Sequence, residues 1–267
     1  MDAQVGLTKV SSFPGAALLR LRIPIASKLL EFRRQRWVGY FSRMPRLLGT
    51  VLALLLTTIS FCQLKGKVIC LDPGHPSEVG RGTRGKKLTE IQVAWKMSLL
   101  VKSKLESMGA KVVLTKTSEE QLVRNQARAE TANRAHADFM LRLHCDAASG
   151  SGFTSYYPTQ QGTVSGTTGP DPELLDRIKP IAERFHRAFV AAMKGKLPDL
   201  GLKSDLKTAV GGKQGALTGS IFSKVPVVLV EMVVLTNPKD EAFIANKANQ
   251  DLFARALCAG VIAAVKG

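Results

Sequence analysis

Lys67-Val68-Ile69-Cys70-Leu71-Asp72-Pro73-Gly74-His75 is the stretch that decides the fold. A short apolar run stops at Asp-Pro-Gly, a turn signal, so Lys67–Leu71 reads as a buried strand with His75 just beyond its end. Working outward, Thr89 followed by Gln92 is a capping box that opens a helix. Ile91, Ala94, Trp95, Ser98, Val101, Leu105 and Met108 follow at spacings of three and four, and Gly109 closes it. Lys111–Thr115 is a second strand, Gln121–Arg134 a second helix and Asp138–Leu143 a third strand. Strand–helix–strand–helix–strand predicts a single α/β domain, with a mostly parallel central sheet flanked by helices.

Further on, Gly152–Tyr157 reads as another strand and Gln160–Asp171, rich in Gly, Thr and Pro, as a surface loop. Glu173–Met193 carries a helical stripe of Leu174, Ile178, Ile181, Phe185, Phe189 and Ala192, which Pro180 is expected to kink or divide. Val225–Val230 is the strongest strand pattern in the chain, and a helix over about Asn249–Val265 ends the fold. Apolar residues form 45% of the 267, which excludes a wholly disordered chain. Four cysteines exclude a disulfide-dense scaffold. Lys plus Arg number 38 against 21 Asp plus Glu, for a net charge of +17, a balance that favours polyanionic partners without choosing among them.

Residues 1–62 read as an N-terminal extension with a signal peptide or anchor. Leu47–Phe61 is an uncharged run preceded by Arg33, Arg34, Arg36, Arg43 and Arg46, the order of a secretory signal. It is short for a stable membrane span. Cleavage after Ser60 or Cys62 would start the mature chain at 61–63. A signal beginning at Met44 would be compact, which makes Met44 a candidate initiator and residues 1–43 an extension. The other reading is a basic cytoplasmic tail with an uncleaved anchor over 47–61. Either way residues 63–267, a catalytic domain on this reading, are expected to be exported, since arginines stay on the cytoplasmic side.

Three strand ends carry the candidate chemistry: His75, then His144-Cys145-Asp146, then Glu231. In open α/β sheets sites gather beyond the carboxyl ends of strands, so these side chains are expected on one rim. Glu90 is a fourth candidate, because the loop with Gly80, Gly82 and Gly85 lets it return beside His75. Two His, one Glu and a water suit an open zinc site, with Glu231 left as general base. Each residue also has a plainer reading: a polar surface His, a common turn, or Glu90 serving the helix dipole. Glu231 is the hardest to explain that way, because a carboxylate ending a buried strand needs a partner.

The residues from about Val68 to the C-terminus resemble the zinc-dependent N-acetylmuramoyl-L-alanine amidases of the amidase type 3 family. The resemblance rests on Leu71-Asp72-Pro73-Gly74-His75, Glu90, Val113-Leu114-Thr115-Lys116, Arg128 with Asn133, and Ala137-Asp138. It continues through Leu143-His144-Cys145-Asp146, Pro226 to Glu231, and Thr236-Asn237-Pro238-Lys239-Asp240. It implies a phosphorylase/hydrolase-like architecture, one zinc ion held by His75, Glu90 and His144, and Glu231 as the catalytic glutamate. It also implies hydrolysis of the amide between N-acetylmuramic acid and L-alanine in peptidoglycan, in the periplasm or at the cell wall. Four departures stand out: Pro76 for Gly, Asp146 for Asn, Lys116 for Arg, and Val233-Val234 for Gly-Phe. None removes a ligand.

Two other functions are compatible with the same residues, another exported zinc peptidase or amidase on this scaffold and a non-catalytic peptidoglycan-binding domain. Nucleic-acid binding rests on charge alone and finds no motif; membrane contact is expected only through the N-terminal signal or anchor. His136 and His186 read as structural or solvated. Cys145 should point away from anything His144 binds, since neighbours on a strand face opposite sides. An oxidising compartment would permit a Cys70–Cys145 bridge.

Overall fold

In the computed structural model, which describes residues 63–266, the decisive stretch forms β1 (Val68–Pro73) at the heart of the molecule. Then follow α1 (Glu90–Ser107), β2 (Lys111–Leu114), α2 (Asn125–Arg134), β3 (Phe139–Asp146) and β4 (Phe153–Tyr157). A hairpin of β5 (Gly162–Val164) and β6 (Thr167–Gly169) precedes α3 (Pro172–Met193) and β7 (Asp199–Ser204). Two short helices, α4 (Ala209–Gln214) and α5 (Thr218–Ile221), lead into β8 (Val227–Val234), α6 (Pro238–Ala245) and α7 (Lys247–Lys266). The N-terminal extension, with its signal or anchor reading, lies outside the described residues.

The six main strands pair in the order β2-β1-β3-β8-β4-β7. Every pairing is parallel except β4 against β8. This is the mostly parallel α/β domain expected. No helix among the described residues is long and apolar enough to cross a membrane.

Alternation along the strands sorts the side chains into two layers. Ile69, Leu71, Phe139, Leu141, Leu143, Val228 and Val230 pack on one face with α1, α3 and α7, around the tilted and edge-to-face rings of Phe153, Phe185, Phe189 and Phe253. Cys70, Met140 and Val227 face the other side, under Ala132 of α2. Further along that second face the residues become polar: Asp72 aligns with Arg142 across β1 and β3, and His144 with Glu231 across β3 and β8. The change from apolar to charged along one face marks where the sheet stops being core.

Several local readings change. The expected loop at Gln160–Asp171 contains the β5–β6 hairpin, closed by Ser165 and Gly166, both at positive φ. Pro180 neither divides nor ends α3; burial of Ile178, Ala182, Phe185 and Phe189 outweighs the one hydrogen bond that proline cannot donate. β7, α4, α5 and α6 are additional elements. The α1 capping box forms as read, between Thr89 and Gln92.

Candidate metal centre and active-site cavity

The loop from β1 to α1 brings two distant parts of the chain together. His75 follows the β1 turn with φ at +52°, a left-handed conformation that non-glycine residues rarely adopt. Two contacts hold it there: its Nδ1 lies 3.0 Å from the Gly80 carbonyl, and its own carbonyl accepts from the buried Lys116 Nζ. With Nδ1–H donated to Gly80, the Nε2 lone pair is turned toward Glu90, an outer contact of the kind that fixes the tautomer of a metal-binding histidine. His75 Nε2 lies 3.6 Å from Glu90 Oε1.

Glu90 opens α1 but is almost fully buried. Its Oε2 accepts from the Thr83 amide at 2.8 Å. Its Oε1 accepts from the Cys145 amide at 3.1 Å and lies 2.9 Å from His144 Nδ1. One ligand atom from each of His75, Glu90 and His144 therefore falls within 4.8 Å of the others. Two glycines leave the room for this: a Cβ at Gly74 would lie 2.6 Å from the His144 ring, and one at Gly82 2.7 Å from His75 Cδ2.

Burial pushes the Glu90 carboxyl up, but hydrogen bonding to His144 and the nearby charge of both histidines more than offset it, so Glu90 titrates below the ordinary carboxylate value. Burial also holds His144 below the ordinary imidazole value, against the pull of Glu90. A carboxylate set beside two imidazoles is the donor set that suits a zinc ion.

Glu231 stands next to this cluster on β8. It lines the same cavity of about 210 Å³ as His75 and His144. Burial, then repulsion from Glu90 and Asp146, raise its carboxyl well above the ordinary value. Glu231 Oε2 and His144 Nε2 are shielded from solvent and have no hydrogen-bond partner. Buried polar atoms are nearly always paired, so two orphans facing one cavity indicate a place where another group is received.

All four residues expected on the rim are thus brought to it. Cys145 turns to the opposite face and packs in the core, as its strand position predicts. Cys70 lies on the other side of the sheet from Cys145; both are free thiols, as is Cys258. His186 is structural, between Ser155 and Asp199. Sequence reading missed what lies beneath the cluster. Asp72, read as part of a turn, is fully buried between Arg128 at 2.6 Å and Arg142 at 2.8 Å, with Thr115 donating at 2.5 Å. Burial alone would raise the Asp72 carboxyl, but the two guanidinium groups drive it far below the ordinary value. The signal was present: Asp72 and Arg142 are charged residues inside otherwise apolar strands.

An open three-donor cluster on the carboxyl rim of a parallel sheet, with an unpaired carboxylate alongside, is the form of a hydrolytic metal site rather than a closed structural one. Residues 69–263 match the family described as N-acetylmuramoyl-L-alanine amidase, and the chain belongs to that family. Among its relatives, the sporulation-specific N-acetylmuramoyl-L-alanine amidase of Bacillus subtilis (strain 168) is 32% identical over 145 residues, covering 50% of this chain. N-acetylmuramoyl-L-alanine amidase LytC of the same strain is 28% identical over 200 residues, covering 74%. The chain spans 55% of the first relative's length and 35% of the second's. N-acetylmuramoyl-L-alanine amidase AmiC2 of Nostoc punctiforme shares the fold with a TM-score of 0.58 at 22% identity, over 74% of this chain and 96% of that one.

Proposed function

We propose that this chain is an exported zinc amidase that cleaves the amide between the lactyl group of N-acetylmuramic acid and L-alanine in peptidoglycan. The observation that carries the reading is the His75–Glu90–His144 cluster, set within a chain that belongs to this family over residues 69–263. His75, Glu90 and His144 would hold the metal, and the glycine-lined space around them and the orphaned His144 Nε2 fit that assignment. Bound there, zinc supplies Lewis acidity, polarising the scissile carbonyl and acidifying a water to a pKa of about 7.

The protein's own part is proton transfer and orientation. Glu231 Oε2, on a rigid buried strand and without a partner, accepts the proton of the attacking water and returns it to the departing nitrogen. Its raised pKa makes it a stronger base than an exposed glutamate once ionised. Lys116 and Gly80 hold His75 in place from behind.

Residues 1–62 are proposed to direct export, leaving residues 63–267, with 29 basic and 19 acidic side chains, as a catalytic domain that concentrates on an anionic wall. The test is mass spectrometry of purified peptidoglycan after digestion, with and without a chelator. Free stem peptide released only in the absence of chelator is the expected result. Wall binding without release would replace the amidase reading with a non-catalytic one.

A further inference from the structure

Arg128 and Arg142 share one carboxylate, yet they are used differently. Arg128 is fully engaged: Nε donates to Val123 O at 2.9 Å, Nη1 to Asp72 and to Pro73 O, and Nη2 to Pro76 O at 2.9 Å. Arg142 donates from Nε to Asp72 Oδ2 and from Nη2 to Asn125 Oδ1 at 2.7 Å. Its Nη1 makes no hydrogen bond among the described residues. The side chain is 97% buried and lines the active-site cavity.

Among the described residues, Asp72 is the one carboxylate hydrogen-bonded to the two guanidinium groups, so a single acidic side chain serves both. Glu78 reaches the group only through Asn125 and is itself exposed. Two other buried carboxyls lie nearby, Glu231 and Asp205, and neither hydrogen-bonds Arg142; Asp205 Oδ2 accepts from the Leu217 amide. Burial pushes the Asp205 pKa up to about 6, which weakens it as a counter-charge.

Geometry gives the position of the group that would complete this site. Arg142 and His144 are two residues apart on one face of β3, aligned with Leu229 and Glu231 on β8. Two residues along a strand rise about 6.7 Å, the same rise as an extended dipeptide. A substrate with its scissile carbonyl at the His144–Glu231 row would carry its second peptide residue to the Arg142 row. The hydroxyl-bearing Thr218 lines the same cavity, and Gly219 beside it leaves space around Arg142 Nη1.

We propose that Arg142 is a specificity-determining residue whose free Nη1 binds a carboxylate on the second residue of the peptide leaving group. The proposal rests on the amidase reading and adds the discrimination that Arg142 makes, between a carboxylate and a carboxamide at that second position. A carboxamide there offers no charge to the guanidinium, and its N–H groups face donors.

Two measurements test it, on the full chain. The first compares muramoyl dipeptides that differ only in a carboxylate or a carboxamide on the second residue. A charge-assisted hydrogen bond predicts a kcat/KM about tenfold or more in favour of the carboxylate, expressed mainly in KM. Arg142→Met brings the ratio to within about twofold, and Arg142→Lys, which keeps the charge but loses the fork, lies between. The second is calorimetric binding of the two corresponding free dipeptides in the presence of chelator, so that no metal competes for the carboxylate. The same order of preference is expected, again lost in Arg142→Met.

Absence of a preference in the wild-type protein, or a preference that persists in Arg142→Met, overturns the proposal. Should Arg142→Met fail to fold, the wild-type ratio and Arg142→Lys decide. A binding preference without hydrolysis of either substrate would keep the subsite and remove the amidase reading. Equal hydrolysis of both would do the reverse.

Discussion

Two histidines in this molecule lie against oxygen atoms at similar distances, with opposite consequences. His144 lies 2.9 Å from Glu90 on the sheet's carboxyl rim, while its other nitrogen and the nearby Glu231 Oε2 have no partner. His186, on α3, lies 3.0 Å from Ser155 Oγ and 3.3 Å from Asp199 Oδ1, so both its nitrogens are occupied. The second set has the residue types of a nucleophilic triad. Ser155 nevertheless has no exposed surface, and no substrate can reach its hydroxyl. Residue type and spacing make the two clusters look alike; accessibility and unsatisfied atoms separate them. A satisfied polar cluster in a protein interior is structure, and an unsatisfied one facing a cavity waits for something.

The comparison breaks most visibly if the rim cluster holds no metal. His144→Ala and His75→Ala are each expected to lose bound zinc and, with it, turnover altogether, because three protein donors fall to two. Metal analysis of the purified variants alongside stem-peptide release checks this, and a full equivalent of zinc in both would remove the assignment. Glu231→Gln comes next. It preserves shape but removes the base, so zinc is retained while turnover falls by about two to four orders of magnitude. If that variant loses zinc while Glu90→Gln retains it, the two glutamates exchange roles.

How far the sequence reaches follows the same division. The rim was legible because β1, β3 and β8 are apolar runs that end abruptly in His75, His144 and Glu231, and strand ends are where such residues converge. Glu90 was legible because glycines at 80, 82 and 85 permit a tight return. Asp72 and Arg142 were harder: each is one charged residue in a strand, and pairing between strands seventy residues apart cannot be read from local pattern. β7 and the α4–α5 segment escaped for a related reason. Their sequences, Asp199–Ser204 and Ala209–Gln214, are polar and glycine-rich, and only packing against β4 and the cavity gives them their shape. The β5–β6 hairpin is too short for its alternation to stand out from a loop.

The smallest effects are expected at the second histidine, and they sharpen the comparison from the other side. Ser155→Ala removes the hydroxyl that meets His186 Nδ1, and a single buried hydrogen bond contributes about 0.5–1.5 kcal/mol net. A domain of this size should then lose about 1–6 °C in Tm, with stem-peptide release unchanged within about twofold. His186 supplies an independent check through pH. Burial holds it below its ordinary value, against the attraction of Asp199, so the fold favours the neutral ring. The unfolded chain takes up a proton near pH 6.5 while the folded one resists. The contribution is therefore fully present above that pH and is lost as pH falls toward the depressed folded value. Other groups titrate in the same range, so the informative quantity is wild type minus His186→Gln, read from urea midpoints between pH 7.5 and pH 5. That difference should shift against the wild type as pH falls. A pH-independent difference would mean that His186 carries no such linkage. A large loss of turnover in Ser155→Ala would mean that the satisfied cluster takes part in catalysis after all, and burial would no longer serve to tell the two apart.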